Sequence, residues 1–101
     1  MPSYLVETFL PRARAGDRGA QERATSSAAE AASREGTPVC FGGSIYVPED
    51  EICLLSVDAP SIGDVERIAE RAGLRLLRVV EAIASNREVV RTCADPPSQS
   101  P

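Results

Sequence analysis

Residues 44–61 read SIYVPEDEICLLSVDAPS, and this stretch decides the fold. Ser44 to Val47 closes a β-branched and aromatic run that opens at Pro38, while Glu51 to Val57 carries Ile52, Cys53, Leu54, Leu55 and Val57. Both runs have the composition of strands. Pro48-Glu49-Asp50 between them is a short polar turn, so the two strands form a hairpin. Directly afterwards Asp58-Ala59-Pro60 leads to Ser61, and Asp64 follows three residues on, a capping box with Asp in place of the usual Glu. A helix starts there. Val65, Ile68, Ala69 and Ala72 recur at i, i+3, i+4 and i+7, and Gly73 stops it.

Upstream, Ser3 to Phe9 is rich in aromatic and β-branched residues and ends at Leu10-Pro11, which predicts a first strand. Asp17 to Glu35 is rich in Ala, Glu and Arg and is closed by Gly36, which predicts a helix. Its core-facing stripe is expected at Ala20, Ala24, Ala28, Ala31 and Ala32, small residues that let a helix lie close to a sheet. Downstream, Arg75 to Ile83 reads as a fourth strand. The order βαββαβ predicts an α+β, ferredoxin-like antiparallel sheet with two helices on one face. Residues 1–83 form that domain. Residues 84–101 are polar and Pro-rich and are expected to be a largely disordered tail.

Strand parity predicts that both sheet faces are apolar. Ile52 and Leu54 oppose Cys53, Leu55 and Val57; Leu76 and Val80 oppose Leu77, Val79 and Ile83. Two helices cover one side of a four-stranded sheet, so the other side needs an apolar partner. The simplest partner is a second copy of the chain, which would make a homodimer of the dimeric α+β barrel type.

Composition narrows the chemistry. The chain has 101 residues, no His, and 11 basic residues that are all Arg. Imidazole bases, imidazole metal ligands and lysine chemistry are therefore absent. Fifteen acids give a net charge of −4, and the arginines are interspersed with them, which argues against a nucleic-acid surface. No apolar run approaches the roughly 20 residues of a membrane span, and no signal-peptide pattern opens the chain, so a cytoplasmic protein is expected. Cys40, Cys53 and Cys93 are odd in number and widely spaced, which indicates neither a disulfide framework nor a structural zinc site.

Three blocks carry a resemblance: Met1 to Phe9, Ser44 to Ser61, and Arg71-Ala72-Gly73-Leu74 with Val80-Glu81. Together they are similar to an uncharacterised-domain family of small bacterial proteins whose described members include nickel-binding ferredoxin-like dimers. The similarity spans residues 3 to 83, and it implies the dimeric fold. In that family the second strand typically carries an aromatic residue and then a His shortly before a Ser. Here the run is Phe41-Gly42-Gly43-Ser44, with Gly43 where the imidazole would stand. A histidine nickel site cannot be assembled, so no metal and no cofactor is expected. The double glycine reads instead as a β-bulge or a close backbone approach.

Glu7 between Leu5 and Phe9, and Glu81 between Val79 and Ile83, are carboxylates in apolar strands. Buried in a barrel they would be acid/base candidates; paired with Arg75 or Arg78 they would be structural. Tyr4 and Tyr46 could line the same space, and Ser44 has no His partner that would make it a nucleophile. The candidate ligand-binding set is Tyr4, Glu7, Phe41, Ser44, Tyr46, Cys53 and Glu81, with no catalytic residue assigned. Two readings follow. One is a small homodimeric binding or accessory protein that holds a small molecule in the barrel interior. The other is a cofactor-independent enzyme of cyclase, isomerase or monooxygenase type that uses Glu and Tyr.

Overall fold

A computed structural model describes residues 1–83; the expected tail, 84–101, lies outside the described residues. Strand β1 (Ser3–Phe9) leads through a 3-10 segment (Arg12–Asp17) into helix α1 (Arg18–Arg34). Strands β2 (Cys40–Val47) and β3 (Ile52–Asp58) follow, then helix α2 (Ile62–Arg71) and strand β4 (Leu76–Ala82). The sheet order is β2-β3-β1-β4, with every neighbouring pair antiparallel. This is the ferredoxin-like α+β arrangement that the βαββαβ pattern predicts.

The hairpin forms as its residues dictate. The amides of Asp50 and Glu51 donate to the carbonyls of Val47 and Pro48, each at 3.2 Å. Glu51 takes a left-handed φ of 55° to complete the reversal. Its carboxylate accepts the Arg12 amide at 2.9 Å, which ties the hairpin tip to the segment that enters α1. At the start of α2 the Ser61 hydroxyl accepts the Asp64 amide at 3.3 Å, the N-cap half of the expected capping box, while the Asp64 carboxylate accepts the Ser61 hydroxyl at 2.8 Å rather than the Ser61 amide that a full box would use.

One face of the sheet is closed. Tyr4, Val6 and Thr8 of β1 and Cys53, Leu55 and Val57 of β3 are buried against the helices. Val65, Ile68 and Ala69 of α2 pack on them, and burying a side chain the size of Val65 or Ile68 contributes about 1.5–3 kcal/mol. The buried face of α1 is Thr25, Ala28, Ala29 and Ala32, so the expected stripe holds at Ala28 and Ala32 only: Ala20 is exposed, and Ala24 and Ala31 are half-buried. The helix is turned toward Gln21 and Thr25 because it seats a polar group on the sheet as well as alanines.

Two bulges set the faces. Between Phe41 and Gly43 the β2 register slips by one residue, and Gly43 has φ +117°, so the double glycine is a bulge as its composition predicts. A second slip occurs where Glu7 pairs with Arg78 but Thr8 pairs with Leu76, leaving Leu77 as the extra residue. This corrects the parity of β4. Leu76 shares the helix side with Thr8, whereas Val80 lies opposite Leu5 on the other side, because one inserted residue inverts every side chain beyond it.

Candidate functional site

The uncovered face is assembled by register. Leu5, Glu7 and Phe9 of β1 share it with Ile52, Leu54 and Ser56 of β3, Gly43, Ile45 and Val47 of β2, and Arg78, Val80 and Ala82 of β4. Ile45 is 63% exposed and Ile83, at its edge, 90%. A groove of about 410 Å³ runs across this face from Gly42, Gly43 and Ile45 over Leu54 and Leu5 to Ala82 and Ile83. The glycine bulge forms one of its walls. Without a Cβ at Gly43 the backbone itself borders the groove, and a Cβ built there would meet nothing within 4 Å. Three serines border the groove: Ser3, whose hydroxyl donates to Asp58 at 2.7 Å, Ser44 and Ser56.

Glu7 is the acid near the middle of this face. The Arg78 Nε donates to its Oε2 at 2.9 Å, so the ion-pair reading of Glu7 is the one realised.

A second polar constellation lies on the helix side. Arg18, from the first turn of α1, donates from Nε to the Ser44 hydroxyl and from Nη2 to the Ser44 carbonyl, both at 3.0 Å. The Ser44 hydroxyl in turn donates to the Glu22 carboxylate. The Thr8 hydroxyl lies 3.2 Å from the Cys53 carbonyl and 3.3 Å from the Gln21 side-chain oxygen, while Thr25 donates to the Gln21 carbonyl at 2.7 Å. Cys53 sits fully buried among these groups, and burial pushes its thiol up. The neighbouring Ser44 and Thr8 hydroxyls and the Arg18 charge oppose that rise in part. Among the described residues no buried side-chain polar atom lacks a partner. The cluster is chemically closed: the thiol is held in its neutral form, and Ser44 is engaged on both sides.

The seven sequence-predicted residues are therefore not brought together. Tyr4, Phe41, Ser44, Tyr46 and Cys53 project to the helix side, and Glu7 to the open face. Glu81 pairs with Tyr4, which puts the two carboxylates on opposite sides of the sheet. The Tyr46 hydroxyl donates to the Leu10 carbonyl at 2.8 Å, a packing role. Phe41 borders a separate hollow of about 480 Å³ between α1 and the start of β2. Arg18, Glu22, Gln21 and Thr8 were missed; the Arg18/Glu22 spacing of four was the one signal for them.

The donor set does not fit nickel. The chain has no imidazole, and no group of three or more Cys, Asp or Glu among the described residues could hold a metal ion. Neither thiol is open to a metal: Cys40 is disulfide-bonded and Cys53 is a buried neutral thiol.

These features define a ferredoxin-like α+β domain with one helix-covered face and one open apolar face. No family model matches the chain, and no curated protein matches it. Among solved structures it is similar to SCO4226 from Streptomyces coelicolor A3(2), known from a crystal structure. Sequence identity is 20%, the TM-score is 0.62, and the match covers 83% of this chain and 99% of that one. At this identity the likeness speaks for the fold alone. No helix among the described residues is long and apolar enough to cross a membrane.

Proposed function

We propose that the protein is a small homodimeric binding or accessory protein, related to the nickel-binding ferredoxin-like family but without its metal site. Two copies would pack open face to open face and enclose the groove as a chamber for a small, mainly apolar molecule. The observation that carries this reading is the open face itself, which places Leu5, Ile45, Leu54 and Val80 on one side of the sheet with no helix of the described residues over them. Apolar surface of that extent is characteristic of an interface or a ligand site. The groove, about 410 Å³, lies within the size range of small-molecule sites.

The enzymatic alternative has less support. Glu7 and Glu81 are on opposite faces, Glu7 is ion-paired with Arg78, and the Tyr46 hydroxyl is engaged with backbone. Native mass spectrometry of freshly purified protein tests the reading. A dimer carrying a bound small molecule is expected; a bare monomer throughout would contradict it.

A further inference from the structure

Resting on the proposed face-to-face dimer, we infer that Glu7 and Arg78 set its register by pairing across the two-fold axis, Arg78 of each copy reaching Glu7 of the other. An interface between identical copies must be complementary to itself, so any charge on it needs its opposite on the same patch. The open face meets that requirement. Glu7 and Arg78 are cross-strand neighbours on it: Glu7 stands on a central strand, where it also pairs with Leu54, and Arg78 on the edge strand β4.

The geometry leaves room for a second partner. Arg78 bonds Glu7 through Nε alone, so among the described residues its two terminal nitrogens make no hydrogen bond. The Arg78 side chain is 67% exposed while that of Glu7 is 17% exposed, so the guanidinium stands out from the face over a carboxylate that is already half sunk in it. A second copy would bring its own Glu7 oxygens to those nitrogens and convert two exposed pairs into one network of four charges. Covering charges with apolar surface is costly unless every donor and acceptor is met, so registers that separate the network are excluded.

The area is sufficient. Four strands spaced about 4.8 Å apart, each of seven residues rising about 3.3 Å, present a flat face of roughly 450 Å². Two such faces with their side-chain relief reach about the 1,000 Å² that a specific interface needs.

Charge exchange tests the inference by sedimentation equilibrium, with circular dichroism to confirm the fold of each variant. Glu7→Arg and Arg78→Glu, each alone, should weaken dimerisation at least tenfold, because each face then carries like charges. An equimolar mixture should form the mixed dimer, and the double exchange E7R/R78E should return dimerisation to within about threefold of wild type. Wild-type dimers with single variants unchanged, or single variants that stay monomeric when mixed, would overturn the inference and leave the dimer standing. A monomeric wild type would defeat the dimer reading first. A gentler pair covers variants that fail to fold: Glu7→Cys mixed with Arg78→Cys under mild oxidation should give the mixed cross-linked dimer in excess over either like pair. Like pairs alone would overturn the inference.

Discussion

Arg18 holds Ser44 at two points, the Nε on the hydroxyl and the Nη2 on the carbonyl, each at 3.0 Å, across 26 residues of sequence. The contact fastens the first turn of α1 to β2 immediately beyond the glycine bulge, so one side chain links the helix layer to the wall of the open-face groove. Arg18→Ala would leave the Ser44 hydroxyl and the Ser44 carbonyl each short of a donor. Hydrogen bonds to charged groups contribute about 1.5–3 kcal/mol, so the expected loss is about 2 kcal/mol, or on the order of 10 °C in melting temperature for a domain of this size. Thermal melts check it, and a shift of only a degree or two would show the clamp to be dispensable.

Gly43 has φ +117°, a conformation that side-chain-bearing residues rarely adopt, although the space for a Cβ is open. Gly43→Ala should therefore destabilise through backbone strain alone, by about 1–3 kcal/mol. Chemical denaturation of this variant beside Gly16→Ala, where a Cβ likewise meets nothing within 4 Å but φ is not in that region, should show the larger loss at position 43. Equal losses would contradict the strain argument.

Burial raises the Cys53 thiol, so the folded state keeps its proton at a pH where the unfolded chain releases it. The unfolded state then binds fewer protons, and stability must fall as pH rises. The fall begins near the ordinary thiol range, about pH 8.5, and continues until the folded thiol titrates. Cys53→Ala should flatten that alkaline slope while lowering stability at neutral pH through the lost packing. The native thiol should resist alkylation at pH 8; rapid labelling of the folded protein would contradict its burial.

Ser61 caps α2 through the Asp64 amide. Ser61→Ala should cost about 1 kcal/mol and Ser61→Gly only a few tenths, an ordering that urea denaturation reads directly.

Much of the architecture was legible in the sequence because it is local. The hairpin followed from Pro48-Glu49-Asp50, the α2 start from Ser61 and Asp64, and the double-glycine bulge from Gly42-Gly43. The face assignments of β3 held because strand alternation there is uninterrupted. In β4 the parity failed at Leu76, since the extra residue at Leu77 answers to pairing with β1 and leaves no local mark. The stripe of α1 was misplaced in part, for a related reason. Alanine periodicity gives a weak phase, and the hydrogen-bond partners of Gln21, Thr25 and Arg18 lie in their own helix and on β1 and β2. The candidate site was the least legible part. Its residues were chosen by chemical type, and the register then distributed them over two faces.

The central claim is that the open face meets a second copy of itself. Sedimentation equilibrium of the wild-type protein at low micromolar concentration is the most direct measurement. The account predicts a species of twice the 10.7 kDa chain mass, shifted to the single-chain mass by Ile45→Asp with little loss of thermal stability. A wild-type species of 10.7 kDa at every concentration would contradict it.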